Sequence, residues 1–255
     1  MDHENKRPPE GVTAGRNAVR ELLLSGRSVD KLFAARGDAR VREIVDLAKS
    51  AGVPVADADW DRLDSLCPGV RHQGVVAFSA AKDFSTVEDI LSLAKERGET
   101  PLIVICDGVE DPHNLGAVIR VAECAGAHGV IIPKRRSVGL TPTVAKASAG
   151  AVEYVPVARV ANIPTLIERL KEEGIWTYAA EADGAPYYET DFDRPAAIVL
   201  GSEGRGVSDL VKRSCDYTVS IPMYGKVNSL NVSTAASVLV CHAARMQRTG
   251  GAGKE

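Results

Sequence analysis

The chain has 255 residues, 45% hydrophobic and 25% charged, with a formal net charge of -3 and a mean hydropathy of -0.07. That length accommodates one large domain or two modest ones, and the composition is that of an ordinary globular protein. No run approaches the roughly 18 apolar residues of a membrane span, the charged start Met1-Asp2-His3-Glu4 lacks the apolar stretch of a secretion signal, and the slight negative charge excludes a generic electrostatic nucleic-acid binder. A cytoplasmic protein is expected.

In chain order, residues 1–10, with paired Pro8 and Pro9, read as a disordered tail. An αβ pattern follows over 11–82. It holds a helix over 17–24, a short strand at 31–35, and a helix over 41–51 with Val41, Ile44, Val45 and Ala48 on one face and Gly52 ending it. A strand at 53–56, a helix over 60–66 and a strand at 74–79 complete that unit. Residues 83–98 read as a linker carrying one amphipathic helix over 87–97. From 99 to 250, apolar runs at 102–106, 129–132, 154–157, 176–180, 196–200 and 217–221 alternate with helical stretches. Short unalternating runs separated by helices predict an α/β fold, with a parallel sheet covered on both faces. The glycine-rich end from Thr249 reads as frayed.

Cys67, Cys106, Cys124, Cys215 and Cys241 are widely spaced, with no C-x-x-C pair. They read as reduced thiols, Cys106 and Cys124 in the core. No histidine sits at metal-ligand spacing from them, so no metal site is expected.

In open parallel sheets, ligands bind beyond the carboxyl ends of the strands. Three polar or glycine-rich segments fall at such ends: 107–116, opening a helix that carries Arg120; 201–206, with glycines at Gly201, Gly204 and Gly206; and 222–231, from Pro222 to Asn231. Each has a plain structural reading. Asn114 suits an N-cap, Arg120 could pair with Glu123 one turn on, the glycines could only serve a turn, and Asn231 or Ser233 could cap the last helix. A cap explains one of Asn228, Ser229, Asn231 and Ser233, not all four beside Gly225. Small Gly116, Ala117 and Cys124 near Arg120 suit close approach by a backbone or a ligand. The order G-x-x-G-x-G departs from the dinucleotide fingerprint, which disfavours a nicotinamide enzyme.

These residues resemble a known family. Asn114-x-Gly116-x-x-x-Arg120, Leu200-Gly-Ser-Glu-Gly204 and Ile221-Pro-Met with Ser229-Leu-Asn-Val-Ser-Thr234 are similar to the three motifs of the SpoU (TrmH-like) family of SPOUT RNA methyltransferases. Gly15-Arg-Asn-Ala-Val, Arg71-His-Gln-Gly-Val and the string from Asp107 to Gly116 resemble its 23S rRNA guanosine 2′-O-methyltransferase subgroup. The resemblance implies a small RNA-binding domain over 11–82 and a SPOUT catalytic domain over 99–250, with a C-terminal trefoil knot. The implied reaction is S-adenosylmethionine-dependent methylation of a ribose 2′-hydroxyl in 23S rRNA by a homodimer joined through the catalytic domain. Main-chain groups at Gly201, Ile221 and Leu230, with Leu200, Met223 and Ser229, would hold the cofactor.

Arg120 is the implied catalytic residue, as general base or as a cation stabilising an alkoxide. Glu203 and Asn231 would orient it, while Asn114 and Ser229 shape the site. Arg16, Arg20, Arg71 and the run Lys134-Arg135-Arg136 are candidates for RNA phosphate contacts. They are local features, because residues 1–82 carry 13 Lys and Arg against 12 Asp and Glu. Two rivals share the motifs: a tRNA 2′-O-methyltransferase, and a non-catalytic RNA-binding or ribosome-assembly protein.

Overall fold

The computed structural model describes residues 8, 9 and 11–250; of the tail expected over 1–10, only Pro8 and Pro9 are among them. The described residues form two compact units, one of those up to 83 with 139–142, the other of 84–138 with 143–250.

The first unit runs β1 (Val12–Ala14), α1 (Arg16–Leu24), β2 (Val29–Ala35), α2 (Arg42–Ser50), β3 (Val55–Ala58), α3 (Trp60–Leu66) and β4 (Val75–Ser79). Its sheet has the order β1-β4-β2-β3. β4 lies antiparallel to both β1 and β2, while β2 and β3 are parallel. Side chains alternate across β4 as strand geometry demands. Val75 and Ala77 face a core with Val19 of α1 and Ile44 of α2, and Val76 joins a second core with Leu63 and Cys67. Three-residue β1 gave no apolar run to read, and β2 begins at Val29, two residues before the expected strand.

The second unit continues with α4 (Val87–Arg97), β5 (Leu102–Asp107), α5 (Pro112–Ala125), β6 (Gly129–Pro133), α6 (Pro142–Ala147), β7 (Val157–Val160), α7 (Ile163–Glu172), β8 (Trp176–Pro186), β9 (Ala196–Gly201), α8 (Asp209–Ser214), β10 (Tyr217–Ser220) and α9 (Val232–Gly250). Six parallel strands are ordered β10-β8-β9-β5-β6-β7. β5 is buried along its whole length, as expected of a strand covered on both faces. The order, with β9 inserted between β8 and β5, is consistent with the trefoil knot that the resemblance implies.

Three expectations need correction. The segment 83–98 is not a bare linker: α4 starts at a Thr86–Asp89 capping box and ends at left-handed Gly98, and its Val87, Ile90 and Ala94 are buried. Ile90 closes over Gly129, where a Cβ would stand 2.5 Å from it. The run 154–157 is not a strand from its start. A 3-10 turn spans Ala151–Glu153, Tyr154 is 74% exposed, and β7 begins only after Pro156, which has no N–H to give a ladder. Cys124 is exposed, because it lies one helical turn beyond Arg120 on the outer face of α5. Of the end expected to fray from Thr249, only Thr249 and Gly250 are among the described residues, where α9 runs to Gly250 and the Thr249 hydroxyl donates to Arg245 O at 2.9 Å.

Candidate active site

Asp111, not Asn114, caps α5. Its carboxylate accepts the His113 N–H at 2.9 Å, and Pro112 fills the first helical position, where no N–H is needed. Asn114 is therefore inside the first turn, 7% exposed, and its side chain is free for another task. Two residues on, Gly116 lets α5 meet α6: a Cβ there would lie 2.5 Å from Ala147 Cβ and 2.8 Å from Val144 O. The small residue answers to a backbone.

Asn114 is the centre of a hydrogen-bonded cluster. Its Nδ2 donates to Glu203 Oε1 at 3.0 Å, and its Oδ1 accepts from Asn231 Nδ2 at 2.9 Å. Asn231 Nδ2 also donates to the same Glu203 oxygen. Asn231 is in addition the cap of α9, its Oδ1 accepting from Ser233 N–H at 2.9 Å and Ser233 Oγ at 2.6 Å. Residues 89 and 117 positions from Asn114 are thus joined to it. Asn231 spends both of its amide N–H groups in this cluster, whereas Asn114 retains one unused N–H and a lone pair on Oδ1 for a substrate.

The 201–206 loop is shaped by its glycines. Gly204 and Gly206 are left-handed, at φ 81° and 66°, and the loop closes on itself through Ser202 and Gly206, which exchange hydrogen bonds of 2.9 and 3.0 Å. Gly201 is needed for closeness: its Cβ would sit 1.9 Å from the Gly206 carbonyl carbon. Two carboxylates anchor this loop. Asp107, at the end of β5, accepts from Ser208 N–H at 2.9 Å and Ser208 Oγ at 2.6 Å, and Glu181 accepts from the Val207 N–H. Glu181 is available because the β8–β10 register jumps from Ala179 to Ala185, leaving 180–184 to bow out.

A cavity of about 630 Å³ lies among these segments, lined by all six residues read as cofactor-binding (Leu200, Gly201, Ile221, Met223, Ser229 and Leu230), with Glu203 and Asn231. Its volume is that of a pocket for a small organic molecule, about 300–1,000 Å³. Val219 and Leu239 give it apolar wall, the two loops give main-chain donors and acceptors, and Glu181 and Glu203 give negative charge. That donor set fits a cationic nucleoside. A second cavity of about 400 Å³ shares Ser202, Glu203, Arg205 and Val232 with the first, and adds Asn114, Glu110 and Asp111.

Arg120 stands outside the cluster. It is exposed on α5, six residues and so about 9 Å along the helix from Asn114, and has no ion pair, with Glu123 or otherwise, among the described residues. Glu203 and Asn231, expected to orient it, hold Asn114 instead. Asp107, Glu181, Arg205 and Glu110 were missed as site residues. Asp107 closes an apolar run and Glu181 follows one, the signal that could have found them. Among the RNA candidates, Arg20 pairs with Glu43 at 3.3 Å, Lys134, Arg135 and Arg136 are exposed after β6, and Arg16 and Arg71 line a depression of about 370 Å³ in the first unit. Among the described residues no three His, Cys, Asp or Glu side chains gather as a metal would need, and no helix is long and apolar enough to cross a membrane.

Comparison with known proteins bears on this geometry. The SpoU rRNA methylase family matches residues 101–241, and a family described as RNA 2′-O ribose methyltransferase substrate binding matches 14–85. A Bacillus subtilis (strain 168) protein named as a TrmH family tRNA/rRNA methyltransferase is 45% identical over 229 residues, 89% of this chain and 92% of that one. The fold resembles the crystal structure of the SpoU methyltransferase AviRb from Streptomyces viridochromogenes in complex with AdoMet (TM-score 0.60, 24% identity, 94% of this chain and 91% of that one). It also resembles an rRNA methyltransferase from Sinorhizobium meliloti (TM-score 0.55, 25% identity, 92% and 86%). The chain belongs to the SpoU rRNA methylase family and is an RNA methyltransferase of the SpoU/TrmH type.

Proposed function

We propose that the chain methylates the 2′-hydroxyl of a ribose, that of a guanosine in 23S rRNA, with S-adenosylmethionine as donor. The observation that carries this reading is the Asn114–Glu203–Asn231 cluster, standing where the two cavities adjoin. In this reading the larger cavity takes the cofactor, through Leu200, Gly201, Ile221, Met223, Ser229 and Leu230, and the smaller takes the target nucleotide. When bound, adenosylmethionine supplies an electrophilic methyl on a sulfonium that leaves as a neutral thioether.

The residues supply position and charge. Glu203 and Asn231 fix the Asn114 amide, whose free lone pair and N–H orient the ribose hydroxyl for in-line attack; such positioning supplies much of the rate. Arg120, which makes no ion pair among the described residues, grips the adjoining phosphate and stabilises charge developing on the sugar oxygen. It acts as a cation, since a guanidinium stays protonated in proteins, and the hydroxyl proton passes to solvent water as the methyl is transferred. The first unit holds the RNA, with Arg16, Arg20 and Arg71 on phosphates, while Lys134, Arg135 and Arg136 contribute from the second. The chain works as a homodimer through its second unit. Ribosomal RNA is favoured over tRNA because the match to the rRNA methyltransferase of S. meliloti spans 92% of the chain, the first unit included.

The test is a map of 2′-O-methyl groups in RNA from cells with and without the gene. Loss of one guanosine mark in 23S rRNA is expected. Loss confined to tRNA would establish the rival target, and an unchanged map would remove the proposed activity.

A further inference from the structure

We infer that the first unit carries a pocket for a single unpaired RNA nucleotide, its base laid on Trp60 and its phosphates held by Arg16 and Arg71. The inference rests on the reading that this unit holds RNA, and says which kind. The pocket is the depression of about 370 Å³ whose lining includes Arg16, Arg40, Trp60, Arg71, His72 and Gln73.

Trp60 occupies the first position of α3, behind the Asp59 cap, and is 47% exposed. Folding alone gives no reason for an indole there. One part of the ring rests on His72, centroids 4.9 Å apart at 46°. That imidazole is an immobile wall: it is 4% exposed, its Nδ1 accepts from Gly74 N–H at 3.1 Å, and its Nε2 therefore carries the proton and donates it to Asp64 at 3.1 Å. The rest of the indole is open.

Three arginines border the pocket, and they are not equivalent. Arg40 is held by Asp38 through bonds of 2.8 to 3.2 Å. The guanidinium groups of Arg16 and Arg71 have no ion pair among the described residues. Their spacing is fixed by Gln73, a non-glycine residue at φ 53°, a conformation retained at a cost when something requires it. Its side-chain oxygen accepts the Arg16 N–H at 3.1 Å, clamping the head of α1 to the Arg71–Gln73 loop.

An aromatic face beside two free cations matches a base and its flanking phosphates. A duplex keeps its bases stacked and cannot offer one to a concave site; loops and bulges can. The near balance of charge over residues 1–82 leaves this pocket, rather than a broad basic field, to choose the RNA.

The experiment uses the full chain with Trp176→Phe, so that Trp60 is the sole reporter of the two tryptophans. Single-stranded oligoadenylate is expected to quench its fluorescence at concentrations at least about 10-fold below those of a blunt duplex. With a hairpin RNA, Trp60→Ala should weaken binding about 10-fold without changing the salt dependence. The Arg16→Ala, Arg71→Ala pair should lower the slope of log affinity against log salt by roughly 0.7 for each lost contact. A wild-type far-ultraviolet circular dichroism spectrum and unfolding midpoint show that the first unit of each variant folds. Equal quenching by both RNAs, or wild-type hairpin affinity in both variants, would overturn the pocket while leaving RNA to be held elsewhere on the unit. A full chain that binds no RNA at all would defeat the role of the first unit itself, and the pocket with it.

Discussion

Asn231 performs two tasks that substitution can separate. Its Oδ1 caps α9 through the Ser233 N–H at 2.9 Å, and its Nδ2 donates to Asn114 Oδ1 at 2.9 Å and to Glu203. Asn231→Ala removes both. Losing the cap costs about 1 kcal/mol. Asn114 is 7% exposed, so stranding its carbonyl costs roughly 1 kcal/mol more, the low end for a buried polar group because water reaches exposed Asn231 and Glu203 beside it. The alanine variant should thus be about 2 kcal/mol less stable than wild type. Asn231→Asp keeps the cap acceptor and places a negative charge at a helix N-terminus, which favours it. It also removes the amide donor and sets a second carboxylate against Glu203. Its stability should stay within about 1 kcal/mol of wild type, while methyl transfer falls about 100-fold, the effect of a small misplacement of reacting groups. Urea unfolding followed by circular dichroism reads the first quantity, and single-turnover methylation reads the second. An aspartate variant that transfers methyl at the wild-type rate would refute the donor role. An alanine variant as stable as wild type would refute the energetic reasoning.

Gly116→Ala should lower the unfolding midpoint: crowding α6 at 2.5 to 2.8 Å costs about 1–3 kcal/mol and outweighs the helix-propensity gain of at most about 1 kcal/mol; a raised midpoint would contradict it. Arg120→Ala should abolish transfer with cofactor affinity unchanged, and Arg120→Lys should retain measurable transfer that is lost at high pH as the amine titrates. Burial pushes the Cys106 and Cys215 thiols up to about 12, and Cys106 is fully enclosed. Alkylation of the native protein near pH 8 should therefore mark exposed Cys124 and Cys241 first, as peptide mass spectrometry would read. Burial opposes ionisation of Asp216, yet hydrogen bonds from Thr177 and the nearby Lys171 hold its carboxyl below the usual range. A carboxyl lowered on folding stabilises the native state above its unfolded value and loses that contribution as pH falls through the folded one. Asp216→Asn should accordingly destabilise the protein at neutral pH and flatten its loss of stability below about pH 4.

The meeting of 107–116, 201–206 and 222–231 was legible because each segment follows an apolar run, and parallel strands leave their carboxyl ends on one edge. The α4 helix was legible in its bounds but not in its burial, since a short amphipathic helix looks alike in a linker and over a core. Asp111 was passed over because Asn114, three residues on, also suits a cap; the decisive sign was Pro112 directly after Asp111. Cys124 was misplaced because an apolar run was read without its helical phase. Asp107 and Glu181 grip backbone N–H groups 101 and 26 residues away, and no local pattern records so distant a partner. The same holds for strand order: nothing in the runs themselves places β9 between β8 and β5.

The most direct measurement incubates the purified chain with adenosylmethionine carrying a radioactive methyl and ribosomal RNA, then digests the RNA to nucleosides. The account predicts that label appears in 2′-O-methylguanosine and disappears in Arg120→Ala. Label on a base, or none transferred to RNA by the wild-type chain, would contradict it.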